Sequence, residues 1–292
     1  MSERAEITKT WKLFIGGAYP RSESGRVMPI RGGKRGDGRA LAYAAQGSRK
    51  DLREAIEAAR SAQERWAASS GYLRGQILYR LAELMDGRRA ELIEAVRMGE
   101  RAGKSQARSE VECAIDRTVS FAGWCDKLDS VLGGRNPVAG PFHCFSEIEP
   151  VGVVAVVAGG GPSLLSFLSL SLPALACGCA VVVLPSETEP VPALTVAECA
   201  PSADVPAGVL NVLTGSHSEL VSAIAAHRDI DAVVGHVSAD HAQILRSGIA
   251  ENFKRVRIVD EGADYFAGDE FSGPRAFQAV TEVKTVWHTI GS

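Results

Sequence analysis

Three consecutive glycines, Gly159-Gly160-Gly161, lie between an apolar run over 151–158 and a second apolar stretch opened by Pro162-Ser163. A glycine turn between strand and helix can cradle a phosphate, because bare backbone approaches an anion closely and a helix N-terminus offers N–H groups. The spacing departs from the GxGxxG dinucleotide fingerprint, and a tight turn explains it as well. Ser163, Ser166, Ser169 and Ser171 punctuate the stretch that follows, yet no Gly-x-Ser-x-Gly elbow surrounds any of them, so they read as small packing residues. His236 and His241 are five apart, too far round a helix for an i, i+4 metal pair, and are expected in core or solvent roles. No metal is expected. The pair Cys177 and Cys179 is one residue short of the two-residue spacer of redox and zinc motifs and falls between apolar runs, which predicts buried thiols.

The positioning elements come from a chain of ordinary globular composition, 46% hydrophobic with a net charge of -3. At about 150 residues per domain, its 292 residues allow one large domain or two modest ones. No block of like charge is long enough to grip nucleic acid or anionic lipid, so neither is expected as a partner. Six scattered cysteines, and an N-terminus (Met-Ser-Glu-Arg-Ala-Glu) without an apolar core, predict reduced thiols in a cytoplasm. The apolar region over 151–184 is cut by Gly159, Gly160, Gly161, Pro162 and Pro173 into pieces too short to span about 30 Å of hydrocarbon.

A short strand and turn are predicted over 13–17, followed by a polar surface excursion over 21–39. Apolar residues at three- and four-residue steps then predict helices over 50–66, 72–86, 90–99 and 110–132, the last closed by Gly133-Gly134. Residues 142–148 can extend as a strand with Phe142, Cys144, Ser146 and Ile148 on one face. From 151 onward, strands apolar on both faces alternate with helices: strands over 151–158, 180–184, 209–214, 230–234 and 256–259, helices over 162–176, 192–200, 216–227 and 239–250. That alternation predicts an α/β fold, a Rossmann-like parallel sheet covered by helices. The last part is extended again, with Val280, Val283, Val286 and Trp287 among threonines.

Several ordered segments carry a resemblance: Leu13-Phe14-Ile15-Gly16-Gly17, 55–66, 74–85, Gly103-Lys104, 121–127, Glu149-Pro150-Val151-Gly152-Val153-Val154, Pro185-Ser186-Glu187-Thr188-Glu189-Pro190 and Val205-Pro206-Ala207-Gly208-Val209-Leu210-Asn211-Val212. In that order they resemble the aldehyde dehydrogenase superfamily over nearly the whole chain. Residues 281–287 resemble the family's closing strand, where subunits pair. The long interval between these landmarks, which in the family supplies the nucleophilic cysteine, is reduced to 263–274 and holds no cysteine. The resemblance therefore implies a dinucleotide-binding-type domain over 1–140 and 151–262, oligomerisation strands over 141–150 and 274–292, and no catalytic domain.

It implies further changes at the site. The oxyanion-stabilising Asn matches Gly161, and loss of one oxyanion donor costs about a hundred- to a thousandfold in rate. The ribose-binding Lys matches Leu184, and the pyrophosphate loop matches Gly235-His236-Val237-Ser238, with Val237 in place of a glycine and expected to hold phosphate off the helix. The general base falls near Asp260 or Glu261. Gly159, Gly160, Gly161, Glu187 and Ser238 are left as a vestigial cofactor site, with NAD binding weak or absent and no catalytic residue. Phe142, Cys144, Ile148, Val280, Val283, Val286 and Trp287 are the expected oligomerisation residues. The function implied is a pseudoenzyme that self-associates or pairs with a full-length aldehyde dehydrogenase; a small NAD(H)-binding or sensing protein is the other reading, and an active oxidoreductase a third.

Overall fold

In the computed structural model, residues 8–32, 40–99 and 103–290 are described. The reading of the first six residues, and the 33–39 part of the polar excursion, lie outside them. The N-terminal part begins with β1 (Thr10–Trp11), β2 (Val27–Arg31) and β3 (Ala40–Ala45). These three form a small sheet in which β3 is central, parallel to β1 and antiparallel to β2. The expected excursion thus contains a strand: Ile30 is 2% exposed and pairs with Ala42, although Pro29 and Arg31 beside it are exposed.

Helices α1 (Arg49–Ala67), α2 (Gly71–Gly87), α3 (Arg89–Met98), α4 (Lys104–Trp124) and α5 (Leu128–Leu132) follow. A capping box starts α1: the Ser48 side chain accepts from Asp51 N, and the Asp51 carboxylate accepts from Ser48 N at 2.8 Å. Buried Asp51 also accepts from Ser22 Oγ at 2.8 Å, tying the N-terminal loop to the helix. The helix expected over 110–132 begins earlier and breaks after Trp124, where Cys125 O packs so closely that a Cβ on Gly71 would lie 2.3 Å from it.

Next come β4 (Gly134–Asn136), β5 (Phe142–Pro150) and β6 (Val153–Ala158), then α6 (Ser163–Cys177), β7 (Ala180–Leu184), α7 (Val191–Cys199), β8 (Leu210–Val212), α8 (His217–Ala226), β9 (Ala232–His236), α9 (Ala239–Gly248) and β10 (Arg255–Ile258). The five strands of the main sheet run parallel in the order β10-β9-β6-β7-β8. Alternation along β6 sends Val154, Val156 and Ala158 into one core with residues of α2, α4, α6 and α7. Val153, Ala155 and Val157 enter a second core with residues of α1, α8 and α9. Both faces are therefore covered, as the near-continuous apolar strands required. No described helix is long and apolar enough to cross a membrane.

The chain closes with α10 (Gly268–Ser272) and β11 (Thr281–Thr289). Nine residues of β11 pair antiparallel with β5, from Thr281 opposite Pro150 to Thr289 opposite Phe142. The pair is not an isolated ribbon: β4 takes the other side of β5, giving the order β11-β5-β4. Val280 precedes the strand and is 1% exposed, its carbonyl accepting from Val151 N, so it roots β11 in the core and presents nothing to a neighbour. Cys144 is likewise buried. Of the expected association residues, Val283 and Trp287 are exposed, and Phe142, Ile148 and Val286 are half-buried.

Candidate functional site

The strand order reverses between β6 and β9, and ligands of open α/β sheets lie outside the carboxyl ends of the strands at such a point. Gly159, Gly160 and Gly161 follow β6, Glu187 follows β7 and Ser238 follows β9, so the fold brings all five to this edge. Each glycine faces a ring. A Cβ on Gly159 would lie 3.0 Å from the His217 imidazole, one on Gly160 2.6 Å from His236, and one on Gly161 2.7 Å from Tyr265. Gly161 also has φ +76°, a conformation that favours glycine.

Those rings are fixed. His217 Nε2 hydrogen-bonds Pro185 O at 2.8 Å, and His236 Nδ1 lies 3.0 Å from Tyr265 Oη. Tyr265 stacks on Phe271 at 4.3 Å, and its carbonyl accepts from the buried Arg117 guanidinium at 2.8 Å. Trp124 Nε1 donates to Ser272 O at 3.1 Å, and Phe277 packs edge-on against Phe121. The short connection between β10 and β11 thus forms an aromatic plug against α4 and α6. Sequence reasoning passed over it; the available signal was the density of Tyr265, Phe266, Phe271 and Phe277 in a stretch of Gly, Asp and Glu.

The helix ends at this edge are largely satisfied by the chain itself. Glu110 of α4, 3% exposed, accepts from Leu164 N at 2.7 Å and Leu165 N at 3.2 Å, occupying the N-terminus of α6. Burial raises its pKa, and the two amides offset part of the rise. Ser238 caps α9 by accepting from His241 N at 3.4 Å. Val237 does not screen that helix as expected: its side chain is 6% exposed and packs in the second core, because the alternation of β9 carries one residue past the strand. Glu187 is half-exposed, and its charge acts on His217.

At the carboxyl edge, His217, His236 and Tyr265 therefore pack directly against the backbone of the three glycines. Among the thiols, burial raises the pKa of Cys113, Cys177 and Cys199 and pushes Cys125 up to about 12. Cys177 and Cys179 are buried as expected, with sulfurs 3.6 Å apart. Ser169 accepts from Arg117 at 2.8 Å, whereas Ser163, Ser166 and Ser171 are buried with no partner for Oγ. His241 faces His217, ring centroids 6.4 Å apart, and not His236. Among the described residues no group of three His, Cys, Asp or Glu could hold a metal. Burial lowers the pKa of both His217 and His236, which favours their neutral forms.

A parallel, doubly wound sheet with its crevice at the carboxyl edge defines the class, a dehydrogenase-type α/β protein. The chain belongs to the aldehyde dehydrogenase family, which it matches over residues 23–266. It is 32% identical over 262 residues to aldehyde dehydrogenase 1A1 of Equus caballus, covering 87% of this chain and 51% of that one. With retinal dehydrogenase 2 of Homo sapiens it shares 31% over 257 residues, covering 86% and 48%. The NAD+ complex of an aldehyde dehydrogenase from Bacillus cereus superposes with TM-score 0.80 at 27% identity, covering 85% and 50%. An NAD-dependent aldehyde dehydrogenase from Sinorhizobium meliloti gives TM-score 0.81 at 26% identity, covering 86% and 50%. The chain spans about half the length of the relatives it matches.

Proposed function

We propose that this chain is a catalytically inactive aldehyde dehydrogenase-like protein that serves as a structural or regulatory subunit, self-associating or pairing with a full-length aldehyde dehydrogenase. The observation that carries this reading is the packing of His217, His236 and Tyr265 against the three glycines, where a cofactor would have to enter. What remains open is the edge of β11, with Val283 63% and Trp287 60% exposed. An unpaired, partly apolar edge strand invites pairing with another chain. On this reading residues 1–140 and 151–262 are a dinucleotide-binding-type body, 141–150 with 274–292 are the association strands, and the setting is cytoplasmic. NAD binding at Gly159, Gly160, Gly161, Glu187 and Ser238 is vestigial.

The second reading, a small NAD(H)-binding protein, is favoured by the NAD+ complex among the structural relatives. Calorimetric titration with NAD and NADH separates the two. Saturation below about 100 μM supports the second reading, and its absence, together with association in sedimentation equilibrium, supports the first. A stable assembly should bury more than about 1,600 Å². Turnover of an aldehyde with NAD or NADP by the pure chain would overturn both.

A further inference from the structure

A concavity lined by none of these carboxyl-edge residues lies between α1 and α2. It has a volume of about 660 Å³, within the range of small-molecule sites. One wall is a single side of α1, where Ala58, Ala62, Arg65 and Trp66 recur at helical spacing; Leu73 and Ile77 of α2 form the other, and Pro206-Ala207-Gly208 closes the floor. The floor is drawn tight by Gly208, which has φ +88° and whose Cβ would lie 2.5 Å from Ala58 O. Trp66 is held in place by its Nε1 donating to Leu175 O at 3.0 Å.

The polar chemistry of this groove is one-sided. Ser61 Oγ donates to Glu57 O at 2.8 Å and Ser69 Oγ to Trp66 O at 2.6 Å, so both hydroxyl protons are committed within the turn. Arg65 is exposed at the rim and forms no ion pair among the described residues. Behind Ser69, Arg74 is 8% exposed and donates only to carbonyls, those of Ala176 at 3.0 Å, Ala67 at 3.3 Å and Ser69. Arg65 thus lines the apolar groove with Arg74 behind Ser69, and neither guanidinium has a carboxylate partner among the described residues. Such a field attracts an anion, and the apolar walls stabilise a hydrocarbon body.

We propose that the groove between α1 and α2 binds an amphipathic organic carboxylate, with its apolar body along Trp66, Leu73 and Ile77 and its carboxylate on Arg65. The site is independent of the association reading and of the glycine turn at the carboxyl edge.

Octanoate and its neutral counterpart octan-1-ol are the probes, titrated calorimetrically into the full chain. Octanoate should bind saturably with Kd below about 1 mM. Arg65→Ala should weaken octanoate about tenfold and leave octan-1-ol unchanged, since only the charge-assisted contact is lost. Ser61→Trp, an exposed change on the same wall, should block both probes. Circular dichroism and thermal melting establish that each variant is folded. No saturation by octanoate, equal weakening of both probes by Arg65→Ala, or binding that survives Ser61→Trp would each overturn the proposal.

Discussion

The Tyr265 phenol oxygen lies 3.0 Å from Nδ1 of His236 while the two rings stack at 19°, so one hydrogen bond and one face contact lock the same pair. The lock sits at the carboxyl ends of the paired strands β6 and β9, and it fixes the 260–280 connection to the sheet. Removing the hydroxyl and removing the ring should therefore have separable effects.

Tyr265→Phe should destabilise the fold by about 1–3 kcal/mol, because it leaves a buried imidazole nitrogen unpaired. Tyr265→Ala should cost about 3–5 kcal/mol, since it also opens a cavity between Phe271 and Gly161. Urea denaturation of the two variants measures the difference. Equal midpoints would mean that the ring contributes nothing beyond its hydroxyl.

Stability should fall on the acid side. Burial lowers the pKa of His217, His227 and His236 in the folded chain. Below about pH 6.5 the unfolded chain then binds more protons than the folded one, so stability is fully present above that pH and is lost as pH falls toward the folded values. Glu110, raised by burial, opposes this at lower pH by favouring the folded state when protonated. Urea midpoints at pH 7.5 and 5.5 should differ accordingly, and His217→Asn should flatten the slope between them.

Val283 and Trp287 lie opposite Ile148 and Cys144 in the ladder and share one face, with Val286 on the other. Val283→Lys with Trp287→Lys should reduce association in sedimentation equilibrium while changing protomer stability by no more than about 0.5 kcal/mol, as both side chains are exposed. Cys144→Lys should instead unfold the protomer, because it buries a charge. An unchanged oligomeric state in the double variant would remove β11 as the contact.

Cys113 is the only one of the six cysteines that is half-exposed. It should be alkylated by iodoacetamide before the other five, with a rate still climbing at pH 9 because its thiol pKa is raised by burial. Mass spectrometry of the peptide resolves the order.

The parallel sheet was legible because its strands are apolar on both faces, and helices α1 and α2 because their apolar stripes recur at helical spacing. The β5 to β11 pairing was also within reach, since both segments are rich in aromatic and β-branched residues. Strand β2 was hidden because its sequence, Val27-Met28-Pro29-Ile30-Arg31, shows no polar-apolar alternation, and Ile30 is its only buried residue. At the site, the glycines and Ser238 were visible as types, but what stands over them comes from residues distant in sequence: Glu110 meets Leu164 54 positions away, and Arg117 meets Tyr265 148 positions away. Val237 was misread because whether a branched side chain points at a ligand or into a core depends on strand register. Val280 and Cys144 were misassigned for a related reason, as apolar character alone does not say which side of a small sheet faces a partner.

The long closure between β5 and β11 also sets an order of events during synthesis. Ser146 and Thr285, joined through their hydroxyls, are 139 positions apart. At about 5–20 residues per second, a ribosome needs roughly 7–28 s to deliver the second after the first. Throughout that time β5 can pair with β4 on one side while its other edge waits uncovered. A nascent chain therefore passes through a stage in which Phe142, Phe145 and Ile148 border a vacant strand position, and chaperones or a neighbouring chain can reach that position before β11 does.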